Sequence, residues 1–182
     1  TLLVTYGGAL AEKYFFTKDQ VHKDPKVVRF IPDNVIQKMT RRRDWSRDDE
    51  HTFPSVAADA VNIMRAGGRV GVGSHGQFQG LGFHWELWAL QSGGMTEMEA
   101  LRAATIGGAE IIGIASDVGS IEFGKLADFI ILNEDPLDDI RNTNEIKYVV
   151  KNGRLYDGET MDQIWPKKEK LKEFWWWDDV PQ

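Results

Sequence analysis

The chain contains no cysteine, which excludes structural disulfides, thiolate-held zinc and thiol catalysis, and leaves a reducing or an oxidising compartment equally open. No apolar run approaches the roughly 20 residues that span a bilayer, and no charged-then-apolar leader opens the sequence. Positive charge is in short supply: 22 Lys and Arg stand against 28 Asp and Glu, for a formal net charge of −6. That balance argues against a general nucleic-acid binder, and the local basic cluster Arg41-Arg42-Arg43 reads as a solvated helix face. There is no initiating Met: Thr1-Leu2-Leu3-Val4-Thr5-Tyr6-Gly7-Gly8 reads as a buried strand and its turn from the first residue. The expectation is a chain that opens in the middle of a fold.

What is present centres on Arg69 to Glu86, RVGVGSHGQFQGLGFHWE. Arg69 to Gly73 alternates as a short buried strand does, and Ser74-His75-Gly76-Gln77 puts a histidine just past its C-terminal end. In α/β folds sites gather at that end. On local features alone, a Gly-rich junction with one His supports a structural and a chemical role equally.

Around this stretch the grammar is that of a parallel α/β unit. Ala9 to Phe53 is a long excursion of short helical pieces broken at Asp24-Pro25 and Ile31-Pro32. Ser55 to Ala66 has helical spacing and a Gly67-Gly68 stop, His84 to Gln91 makes a second helix, and Thr96 to Glu99 fits a capping box for a third, interrupted at Gly107-Gly108. After Ala115 the texture becomes all-β. Gly119 to Gly124 reads as a short strand and turn, Ala127 to Leu132 as a strand, and Ile146 to Asn152 as a strand entering an Asn152-Gly153 hairpin turn toward Arg154-Leu155-Tyr156. Asn133 to Asn144 reads as an exposed polar connection. A charged tail ends in Trp175-Trp176-Trp177, which would pack on this chain's own body or on another segment or subunit. The divisions expected are residues 1–115, 116–160 and a tail at 161–182.

Three stretches together resemble the C-terminal part of the metal-dependent amidohydrolase superfamily. They are Gly71-Val72-Gly73-Ser74-His75-Gly76; Gly94-Met95-Thr96 through Ala100-Leu101-Arg102-Ala103-Ala104-Thr105; and Gly119-Ser120-Ile121 with Gly124-Lys125-Leu126-Ala127-Asp128-Phe129. Their order is similar to that of the imidazolonepropionase, prolidase and dihydroorotase-like branch. The exit Ser74-His75-Gly76-Gln77 with His84-Trp85-Glu86-Leu87-Trp88 is especially similar to members joined to Tol-type propeller modules.

The resemblance implies an α/β fold: the C-terminal part of a (β/α)8 TIM barrel, with Thr1 to Tyr6 as its seventh strand and Arg69 to Gly73 as its eighth, plus strands of a small β-sandwich. It implies a hydrolase of amide or cyclic amide bonds in small molecules or peptides, dependent on Zn2+ or another divalent metal. Most ligands would lie outside this chain, since His22, His51, His75 and His84 contain no His-x-His pair. The superfamily's eighth strand ends in Thr-Asp or Ser-Asp, whereas here the pair is Ser74-His75. His75 therefore stands as acid–base group or metal ligand, with Tyr6, Gln77 and His84 as substrate contacts. The isolated chain is expected to be inactive and to associate, with itself or with the missing N-terminal part of the barrel, through apolar surface at Leu2, Val4, Val70 and Val72 and through the Trp tail. The competing reading is a non-catalytic binding module that keeps the fold without the chemistry.

Overall fold

A computed structural model describes residues 3–8, 11–40, 46–75 and 78–177. Among these residues eight α-helices precede a small sheet: α1 Leu3–Tyr6, α2 Ala11–Lys18, α3 Pro25–Phe30, α4 Asp33–Thr40, α5 Phe53–Arg65, α6 Leu81–Ser92, α7 Glu97–Ala104 and α8 Ile106–Ile111. Local chemistry explains several of their boundaries. Asp24 caps α3, its Oδ1 accepting from the Lys26 and Val27 N–H groups at 2.8 and 3.0 Å, with Pro25 in the first turn where its missing N–H costs nothing. The capping box expected at α7 forms. Glu99 N–H donates to Thr96 Oγ1 at 3.2 Å, and Thr96 N–H donates to Glu99 Oε2 at 2.8 Å.

Helix α6 is the axis of the core. Trp85, Leu87, Ala89 and Leu90 are buried, and an aromatic cluster closes on Trp85. Phe15 and Phe78 stack against its indole at ring-centroid distances of 5.6 and 5.5 Å, while Phe16 meets it edge-on at 4.9 Å. The indole N–H donates to Asp19 Oδ2, so α2, α6 and the segment between them are tied at one point. Helix α5 lies along α6, and at Gly93, just past the end of α6, a Cβ would come within 2.4 Å of Ala57. Only glycine permits that approach.

Beyond α8 the sheet has four antiparallel strands in chain order, β1 Phe129–Leu132, β2 Ile146–Lys151, β3 Arg154–Asp157 and β4 Gln163–Trp165. β2 and β3 pair as a hairpin with Lys151 opposite Arg154, and Asn152 and Gly153 adopt φ of 50° and 73°, the left-handed pair that a tight two-residue turn requires.

Several expectations fail for identifiable reasons. The described part of the expected strand Thr1 to Tyr6 is instead the helical turn α1, held by the buried Glu86 carboxylate, which accepts from Leu3 N–H at 2.7 Å and Val4 N–H at 2.9 Å. Arg69 to Gly73 is extended but forms no strand; Val72 N–H donates instead to Ala103 O at the end of α7, 3.4 Å away. A barrel strand needs a neighbouring strand on each side, and among the described residues no strand pairs with this segment. Gly107-Gly108 lies inside α8, and the break falls at Thr105, whose hydroxyl donates to Leu101 O at 2.7 Å and competes with the continuing helix. Gly119 to Gly124 makes a turn without a strand. The connection from Asn133 to Asn144 is not wholly exposed, because the 3-10 turn Ile140–Asn144 buries Ile140 and Thr143 against α6.

Of the apolar residues expected at a bare surface, Val4 is buried and Val70 and Val72 are half-buried, while Leu2 lies outside the described residues. Exposed apolar groups include Ile121 and Phe123 on the turn before β1, Ile130 and Ile131 on β1 itself, and Ile63 and Ile112 on or beside the helices. In the Trp tail, Trp176 and Trp177 pack on the chain's own body, both indoles donating to Arg29 O at 3.2 and 2.6 Å, and the Arg29 guanidinium lies 4.3 Å from the Trp177 ring centre. Trp175 remains exposed.

Candidate functional site

Two of the four candidate residues come together. Ser74 and His75 form the exit from the extended segment, and His75 has φ 55°, a left-handed conformation that turns its exposed side chain away from the path of the chain. Its ring meets that of Tyr6 edge-on, with centroids 5.6 Å apart. The two residues lie 69 positions apart, and α1 brings them together through its anchorage on Glu86. Tyr6 is 66% exposed, so the pair faces solvent, open to a substrate or to a further segment. Gln77 lies outside the described residues.

His84 is placed elsewhere. It projects from the first turn of α6 into a buried polar junction with the Ile140–Asn144 turn. The Thr143 hydroxyl donates to Ile140 O at 2.8 Å, accepts from Trp88 Nε1–H at 3.1 Å, and lies 3.1 Å from His84 Nδ1. Ile140 O also accepts from Trp88 Nε1–H at 3.0 Å, so the carbonyl, the hydroxyl, the indole and the imidazole form one closed polar junction. Burial pushes the His84 pKa down to about 4, with the Lys26 ammonium adding like-charge repulsion. The ring is therefore neutral near pH 7.

His84 also lines a cavity of about 330 Å3 between α3, the start of α6 and the sheet, together with Lys26, Val27, Phe30, Leu81 and Ile146. Neither Tyr6 nor His75 borders it. Beside it, Lys26 Nζ pairs with Glu159 Oε1 at 2.9 Å. On the other side of α6, Asp19 accepts from Trp85 and lies 3.4 Å from Arg141 Nη1, and its carboxyl pKa is raised because burial outweighs those two favourable partners.

Sequence reasoning passed over Glu86 as part of an apolar helix and over Lys26 and Thr143 entirely. A lone carboxylate between Trp85 and Leu87, on a helix apolar all round, is a signal for Glu86: such a charge must be buried and must have partners. Lys26 and Thr143 carry no comparable signal, since their roles depend on which elements fold against α6.

Among the described residues no three His, Asp or Glu side chains gather as a metal ion requires. His75 meets an aromatic ring, and His84 Nδ1 lies against the Thr143 hydroxyl. The donors among the described residues do not by themselves fit a metal centre.

Comparison with known proteins adds what geometry alone does not. The sequence profile of the amidohydrolase family matches residues 21–156. An ochratoxinase from Aspergillus niger is 39% identical over 75 residues, which are 39% of this chain and 16% of that protein. An imidazolonepropionase from Symbiobacterium thermophilum is 45% identical over 65 residues, 34% of this chain and 15% of that protein. Among solved structures, a Xaa-Pro dipeptidase with methionine bound in its active site superposes with a TM-score of 0.52 at 26% identity, covering 76% of this chain and 32% of that one. The chain thus aligns with about a sixth of the length of these curated relatives.

Proposed function

Because this chain belongs to the amidohydrolase family, and carries the C-terminal part of that family's barrel fold with strands of its small sheet, we propose that it is part of a metal-dependent hydrolase of amide or cyclic amide bonds. The observation that carries the reading is the pairing of His75 with Tyr6 at the end of the extended segment. Two side chains able to exchange protons or hydrogen bonds stand exposed where the resemblance puts the chemistry. In this reading His75 takes or delivers a proton at the scissile amide, Tyr6 orients the substrate, and Gln77, two residues past His75, contributes a further contact. Zn2+ or another divalent metal would be held by residues outside this chain, with His75 the one candidate ligand within it; bound there, the metal would polarise the carbonyl. The relatives suggest the substrate class, a small molecule with an amide, lactam or peptide bond.

In the complete protein, His75→Ala is expected to lower kcat at least about a hundredfold, as loss of a positioned acid–base group does. His75→Asp, which restores the residue usual in the superfamily, is expected to retain more activity than His75→Ala. Steady-state rates on a panel of dipeptides and lactams decide the matter, and a rate unchanged in both variants assigns His75 to structure alone.

The same reading requires cover for the exposed apolar turn and edge strand. Ile121 is 85% exposed, and Ile130 and Ile131 of β1 stand on a sheet edge with a free side. We expect the chain to associate through this face, with the rest of the barrel protein or with a second copy. Sedimentation of the purified chain at micromolar concentration checks this; a monomer that binds no added N-terminal part rejects it.

A further inference from the structure

Glu86, on the core helix α6, has no exposed surface. A carboxylate is costly to bury and stays buried only where donors replace the water it has lost. Here the donors are backbone: Oε1 accepts from Leu3 N–H at 2.7 Å and Oε2 from Val4 N–H at 2.9 Å. These are the leading N–H groups of α1, for which a helix has no carbonyls of its own. The far end of α1 is fixed as well. Gly7 N–H donates to Leu3 O at 2.7 Å, and a Cβ on Gly7 would fall 2.3 Å from that same oxygen. A Cβ on Gly8, at φ 115°, would fall 1.9 Å from Thr52 Oγ1. Tyr6 therefore stands between two anchored points.

Helix α6 also places the other half of the pair. Gly82 precedes Glu86 by one turn and lies on the same face of the helix, and a Cβ there would lie 3.7 Å from the Cβ of Ser74, the residue before His75. One face of α6 thus holds α1 through Glu86 and the approach to His75 beside Gly82. The edge-on contact of Tyr6 with His75, at 5.6 Å between ring centres, follows from both. Both side chains are exposed. Two exposed rings gain little from their own contact against the freedom they lose, so their geometry depends on what holds the two backbones.

We infer that Glu86 is a positioning residue for the His75–Tyr6 pair, acting through α1 rather than at the substrate. Its catalytic consequence rests on the hydrolase reading above; the geometric part concerns this chain alone. Glu86→Gln isolates the effect. It keeps the size of the side chain and one acceptor oxygen, but turns an NH2 group toward the second N–H, donor against donor.

Two measurements test the assignment. In the 182-residue chain, nuclear Overhauser effects between the Tyr6 and His75 rings report the pair, and those between Trp85 and Phe15 report an intact core. The parent is expected to show both, with the Leu3 and Val4 amides protected from hydrogen exchange. In Glu86→Gln the Tyr6–His75 effect is expected to fall several-fold while the Trp85–Phe15 effect persists. In the complete protein, Glu86→Gln is expected to lower kcat at least about tenfold, since misplacement remote from the chemistry is costly. In a Tyr6→Ala background it is expected to lower kcat by less than about twofold, because residues acting through one path are not additive. An unchanged Tyr6–His75 effect in Glu86→Gln, or equal kcat losses with and without Tyr6, overturns the inference. Should Glu86→Gln fail to fold, the parent chain decides: freely exchanging Leu3 and Val4 amides beside an intact Tyr6–His75 effect overturn it, and protected amides support it. A failure of the hydrolase reading would show in the His75 variants and leave the ring measurement standing, so the two failures are told apart.

Discussion

Trp85→Ala should lower the stability of this chain by about 3–5 kcal/mol, the cost of emptying a fully buried tryptophan site. Trp85 has no exposed surface, and its indole carries contacts to Phe15, Phe16 and Phe78 at centroid distances of 5.6, 4.9 and 5.5 Å. Truncation also removes the N–H partner of Asp19, a carboxylate whose burial already works against its charge. Total stabilities are typically about 5–15 kcal/mol, so one substitution consumes a large part of the margin. Trp85→Phe keeps most of the ring contact and loses the N–H, and should cost less than half as much. Urea midpoints of the three proteins compare the two effects. A Trp85→Ala loss below about 1 kcal/mol would show that the aromatic cluster is not the centre of the fold.

Acid should weaken the fold through His84 before the carboxylates take over. Its pKa lies at about 4 in the folded chain against 6.5 for the free side chain, because burial and then Lys26 oppose the charged form. The folded pKa is below the unfolded one, so the unfolded state takes up its proton first as pH falls. The contribution is complete above pH 6.5 and is lost between there and pH 4. At about 1.4 kcal/mol for each pH unit in that window, this group alone removes about 3 kcal/mol. Asp128 and Asp157, whose pKa values are lowered by hydrogen bonds from Lys151 and Thr160 respectively, act mainly below that range. The discriminating measurement is the stability difference between pH 7 and pH 4.5 in the parent chain and in His84→Gln, which cannot titrate. The parent should lose more by about 2–3 kcal/mol, and equal losses would mean that His84 ionises in the folded chain without penalty.

The division between what could be read and what could not follows from the range of each interaction. Local chemistry was legible: the Thr96–Glu99 capping box, the turn at Asn152-Gly153 and the helical spacings of α5 and α6 depend on residues a few positions apart, and all of them form. Family membership was legible too, because the order of the Gly-Ser-His-Gly, Gly-Met-Thr and Gly-Lys-Leu-Ala-Asp stretches is a property of the sequence itself. Arg69 to Gly73 has the pattern of a strand, yet a strand is completed by hydrogen bonds to another strand; among the described residues none pairs with it, and Val72 N–H bonds to the end of α7 instead. Leu3 to Tyr6 likewise has strand character, which a carboxylate more than 80 residues away overrides by holding its first N–H groups. The partition of the histidines was equally out of reach: both follow the same glycine-rich stretch, but His75 meets Tyr6 in the open while His84 is buried against Thr143. Composition and spacing determined which helices and turns this chain could make; tertiary contact decided which polar groups were buried and paired, because desolvation and hydrogen-bond satisfaction depend on neighbours that sequence distance does not encode.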